Sequence, residues 1–103
     1  MVLAEEETAL AYAIVLVFEG VSEDDYWAVH EKLGFNRDNE GPVPAGLVTH
    51  YGGASANGWV VSELWESKGQ QEAWMNGKLG AALQALKIPQ PSQVIEVDAV
   101  NNF

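Results

Sequence analysis

Residues 46–66 read GLVTHYGGASANGWVVSELWE, two apolar runs joined by a segment rich in glycine. A short, glycine-rich connection between two apolar runs is the mark of an antiparallel hairpin. The expected strands are 47–51 and 59–66, with 52–58 as the turn. One residue sits oddly in this pattern. His50, one of only two histidines in the chain, falls inside the first apolar strand.

The flanking sequence supplies the partners. Residues 10–19 (LAYAIVLVFE) are rich in β-branched and aromatic side chains and stop at Gly20, which predicts a first strand. Because nearly every position in it is apolar, both of its faces are expected to be covered. SEDDYWAVHEKLG follows, with Ser22 as N-cap, Asp25 three places on, and Gly34 suited to the C-terminal end. Tyr26, Val29, His30 and Leu33 recur at helical spacing and define the inward stripe of that helix. Residues 35–45 (FNRDNEGPVPA) form a loop, long enough to serve as a lid.

A second helix is expected over 67–86, opened by SKGQ in approximate capping-box order. Its inward stripe is Met75, Leu79, Ala82, Leu83 and Leu86, with Trp74 beside it. Gly69, Gly77 and Gly80 each weaken it by roughly 1 kcal/mol relative to alanine. Pro89 and Pro91 end it, and residues 94–100 (VIEVDAV) alternate as a fourth strand.

The order β-α-β-β-α-β predicts an α+β fold, the ferredoxin-like arrangement of a four-stranded antiparallel sheet with two helices on one face. Residues 1–8 read as an acidic tail and 9–103 as a single domain. The opposite sheet face would be bare yet apolar, so a second copy of the chain is expected to cover it as a two-fold homodimer.

Composition narrows the chemistry. Lys and Arg total 5 against 15 Asp and Glu, a formal net charge of −10, which disfavours nucleic acid and anionic lipid surfaces. The same balance favours neutral or cationic ligands. With no cysteine there is no disulfide, thiolate nucleophile or zinc–cysteine site. The two histidines lack ligand spacing, so no metal site is expected. The apolar run 9–18 is too short to span a bilayer and has no basic leader, which points to the cytoplasm.

The element order, the segment ELWES closing the third strand, and the late VIEVDAVNNF together resemble the dimeric α/β-barrel superfamily. That superfamily includes antibiotic-biosynthesis-monooxygenase-like proteins, polyketide cyclases, muconolactone isomerases, heme-degrading monooxygenases and stress-responsive proteins. The resemblance implies a pocket between sheet and helices and a dimer formed by sheet packing. It also matches Trp65 to a tryptophan that several of these monooxygenases place in the pocket. The accompanying residues depart. The second helix has no histidine, the first strand has no asparagine, and the single arginine, Arg37, lies in a loop.

His50 is the candidate base, since imidazole exchanges protons near neutrality. Glu63, on the neighbouring strand, is a candidate partner to fix its tautomer, and Tyr26 a candidate donor to a substrate carbonyl. Trp59, Val61, Glu63 and Trp65 alternate onto one strand face, so Trp59 and Trp65 are expected to wall a slot for a flat ligand. His30 and Trp74 complete the substrate-binding set. Each has a plainer reading as packing or interface, and His50 turns on which sheet face it occupies.

The expectation is an enzyme that needs no cofactor, acting on a hydrophobic aromatic or polyketide-like metabolite. Proton abstraction would lead to cyclisation, isomerisation or oxygenation. The alternative is a non-catalytic small-molecule binder or stress-responsive dimer of the same fold.

Overall fold

The computed structural model describes residues 11–101. The acidic segment 1–8, and Leu10 at the expected start of the first strand, lie outside them. The elements follow the expected order: β1 (Ala11–Glu19), α1 (Glu23–Lys32), β2 (Leu47–Ser55), β3 (Gly58–Trp65), α2 (Lys68–Trp74), α3 (Gly80–Ala85) and β4 (Gln93–Ala99). All neighbours in the sheet are antiparallel, in the order β2-β3-β1-β4.

Strand periodicity sorts the sheet into two faces. Tyr12, Ile14, Leu16 and Phe18 of β1 point to the helices and are buried. Opposite them in β3 stand Trp65, Glu63, Val61 and Trp59, also buried. Burying each large apolar side chain here is worth roughly 1.5–3 kcal/mol, so this face carries the core. Of the alternate residues of β1, Ala13, Val15 and Val17 are only half-buried, and Tyr51, Ile95 and Val97 on the same outer face are exposed. The expectation that β1 is covered on both sides therefore fails within one chain.

The hairpin differs from the sequence reading. β2 continues through Ser55, so the turn is only the two residues 56–57, and Gly52 and Gly53 belong to the ladder. Gly52 is needed in the strand for packing. A β-carbon there would lie 2.8 Å from Trp59 Nε1 and 3.0 Å from the Tyr26 ring. A second irregularity, a register shift between Leu47 and Thr49, sets the parity of β2. Leu47 stands opposite Trp65, Thr49 opposite Leu64 and His50 opposite Glu63. The bulge thus turns both Leu47 and His50 toward the helices, although they are three residues apart.

The expected helix over 67–86 is divided. Between α2 and α3 the segment Met75–Leu79 forms a π turn, and Gly77 leaves helical geometry at φ −107° and ψ −114°. In α1 the expected Ser22 N-cap forms, and Asp25 completes a capping box. The Asp25 amide donates to Ser22 Oγ at 3.1 Å, and the Ser22 amide donates to Asp25 Oδ2 at 3.0 Å. No residue of α1 is buried, so this helix stands off the sheet and leaves room beneath it. Ser22→Ala is expected to lower stability by about 1 kcal/mol in urea unfolding, since helix and cap are only lightly supported by packing.

Candidate active site

The room beneath α1 is a cavity of about 610 Å³ between the sheet and the helices. Its floor includes Leu16, Trp59, Val61 and Glu63, and its walls include Tyr26, Leu33 and Leu83. Phe35, Val43 and Pro44 from the loop after α1 close part of its mouth. That loop is tied down by Asn36, whose Oδ1 accepts from the Asp38 and Glu40 amides at 2.9 and 3.0 Å.

A continuous hydrogen-bonded chain crosses the cavity. Glu63 is 5% exposed on the sheet floor, yet both of its oxygens have partners. Trp65 Nε1 donates to Glu63 Oε1 at 3.0 Å. His50 Nδ1 lies 3.0 Å from Glu63 Oε2, and His50 Nε2 lies 2.8 Å from the Tyr26 hydroxyl. A carboxylate only accepts, so Nδ1 carries the imidazole hydrogen. Nε2 is then the acceptor, and the Tyr26 hydroxyl donates to it. Burial, and after it the negative charge of Glu63, push the Tyr26 phenol above its ordinary value of 10.0, which keeps the hydroxyl a donor.

Three of the expected site residues, His50, Glu63 and Tyr26, are thus brought into direct contact. Trp59 lines the cavity, and its Nε1 is buried without a hydrogen-bond partner. Trp74 lines it as well, half-buried against the core. Trp65 stands elsewhere. It is fully buried (0% exposed) and off the cavity wall, so it meets the site only through its hydrogen bond to Glu63. His30 borders the cavity, but its Nε2 donates to the Asn36 carbonyl at 2.8 Å and its ring stacks between Tyr26 and Phe35. Its polar atom therefore holds the loop.

Two residues of the site escape sequence reasoning. Trp27 lines the cavity although it lies off the Tyr26–Leu33 stripe. Its Nε1 donates to Glu23 at 3.0 Å, and Arg37 lies 4.4 Å over its ring. Gly52, read as part of a turn, is the flat seat for Tyr26 and Trp59. A further polar cluster lies at another point on the helix face. The Tyr12 hydroxyl donates to Glu96 at 2.7 Å, and Lys68 lies 3.3 Å from the same oxygen. Those two partners hold the Glu96 carboxyl below the usual range. No cluster of metal-ligating side chains is found among the described residues.

No protein-family model and no curated protein sequence matches the chain. Solved structures do. A crystal structure from Chloroflexus aurantiacus J-10-fl, of a protein provisionally assigned as an antibiotic biosynthesis monooxygenase, superimposes with a TM-score of 0.65 at 12% identity. The match covers 90% of this chain and 96% of that one. The chain has a ferredoxin-like fold, shared with the Chloroflexus protein. A dimeric ferredoxin-like protein of unknown function from Thermobifida fusca YX is also similar, with a TM-score of 0.48 and 18% identity over 84% of this chain and 86% of that one.

The relay has two measurable consequences. Nitrogen NMR of His50 should show Nδ1 protonated and Nε2 bare while Tyr26 donates to it; the opposite tautomer would contradict the relay. Tyr26 and Tyr12 both hold their protons above the ordinary 10.0 in the folded state, each chiefly through burial. The unfolded chain releases those protons first, so their stabilising effect is present below about pH 10 and lost as pH rises beyond it. Tyr26→Phe should flatten the alkaline fall of the thermal unfolding midpoint.

Proposed function

We propose that this chain is an acid/base enzyme acting on a hydrophobic aromatic or polyketide-like metabolite, with Tyr26, His50 and Glu63 as its proton-handling unit. The observation that carries the reading is the unbroken chain from buried Glu63 through His50 to a hydroxyl facing an apolar cavity. A proton leaves an activated carbon or phenol of the substrate for the Tyr26 oxygen as Tyr26 passes its own to His50 Nε2. Concerted transfer suits a phenol that burial keeps from ionising freely. The imidazolium that forms lies 3.0 Å from Glu63, which stabilises it. Trp65 holds Glu63 in place, and Trp59, Trp27 and Trp74 supply flat apolar surface for the ligand.

Returning the proton to a different atom gives isomerisation or ring closure. Reaction of the carbanion with dioxygen, one atom entering the product and the other leaving as water with the substrate's own hydrogens and electrons, gives a monooxygenase outcome instead, and the fold shared with the Chloroflexus protein supports including it. His50→Gln should lower turnover by roughly 10²–10⁴-fold on whichever member of a hydroxylated-aromatic panel proves a substrate, with ligand binding retained. Oxygen uptake during turnover distinguishes the two outcomes. Unchanged turnover in the variant would sink the catalytic reading.

The outer sheet face supports a homodimer. It presents exposed Tyr51, Ile95 and Val97 beside half-buried Val15, Val17 and Leu64, an apolar stripe across all four strands. A second copy of this face covers it by two-fold symmetry. Sedimentation should give twice the chain mass, and Val97→Asp should give the monomer; a monomeric parent chain would overturn the dimer.

A further inference from the structure

We infer that the cavity selects uncharged ligands and rejects carboxylates of the same shape, so that its substrate arrives as a neutral phenol, ketone, ester or amide. The inference deepens the function proposed above and rests on it. Its basis is the sign of the charge around an otherwise apolar space. Among the described residues lining the cavity there is no lysine or arginine, whereas Glu23, Asp25 and Glu63 all line it. The nearby cation, Arg37, lies over Trp27 and lines an adjoining groove that shares Trp27, His30 and Phe35 with the cavity, without itself lining the cavity.

These carboxylates are fixed in place. Glu23 accepts from Trp27 Nε1, Asp25 accepts from the Ser22 amide, and Glu63 accepts from Trp65 and His50. An anionic ligand would meet Glu23 and Asp25 at the open rim and Glu63 on the floor, with no cationic side chain among the described lining residues to offset them. The two histidines offer little relief. His30 is engaged with the Asn36 carbonyl, and His50 is an acceptor toward Tyr26 while its other nitrogen serves Glu63.

Proton transfer changes this balance at one point only. When the substrate gives up its proton to Tyr26, His50 becomes an imidazolium on the other side of that hydroxyl from the new substrate anion, so positive and negative charge appear together. A ligand that arrives already anionic brings no proton to create that partner. The site therefore stabilises a negative charge formed within it and opposes one brought from outside. A free acid must be esterified, amidated or decarboxylated by a preceding reaction before this protein can take it.

Calorimetric titration with naphthamide and naphthoate tests the selection, because the two match in shape and differ in charge. Naphthamide should bind about tenfold tighter or more, a difference of about 1.4 kcal/mol. In the double variant Glu23→Gln, Asp25→Asn the gap should shrink to roughly threefold, and retained naphthamide affinity shows that the variant is folded. Equal or tighter binding of naphthoate overturns the inference and leaves the proposed function standing. A gap unchanged in the double variant overturns the role given to the rim carboxylates. Binding of neither compound overturns the aromatic-ligand reading of the proposed function itself.

Discussion

A carboxylate buried in an apolar sheet must be fully hydrogen-bonded or it destabilises the fold by several kcal/mol. Glu63 meets that demand with two N–H donors, one from Trp65 on its own strand and one from His50 on the neighbouring strand. The rest of the site follows from this requirement. Trp65 must be buried deep enough to reach one oxygen, and β2 must turn His50 inward to reach the other. With Nδ1 committed to Glu63, Nε2 is presented to Tyr26, and the cavity acquires a hydroxyl backed by a base.

The helices are arranged to leave this unit accessible. α1 buries none of its residues, and the π turn at Met75–Leu79 breaks the second helical region alongside. Looser packing here costs stability that the β1–β3 core supplies. The result is a cavity walled by aromatic rings, with its polar groups concentrated at the relay and its rim.

Much of this was legible in the sequence because it is local. The strand-helix order, the Ser22–Asp25 capping box and the Trp59–Glu63 alternation depend on neighbours only a few residues apart. The hairpin existed where expected, but its turn did not. Gly52 and Gly53 looked like turn residues, whereas Gly52 is a glycine so that two rings from distant elements can lie against the strand. The face of His50 was hidden by the bulge at Leu47–Thr49, which inverts simple alternation and leaves no signature in residue type. Trp65 was expected at the cavity wall from strand alternation and from the family resemblance, but its contribution comes through its N–H. His30 shared the helical stripe with Tyr26, yet a backbone carbonyl of the following loop takes its nitrogen.

The central claim is that Tyr26 and His50 act as one proton-transfer unit rather than as two independent contacts. A double-mutant cycle on turnover, with Tyr26→Phe, His50→Gln and the two combined, tests it most directly. The account expects the double variant to be no slower than the slower single variant, because breaking the chain at either point stops the same transfer. Losses that multiply in the double variant would contradict it.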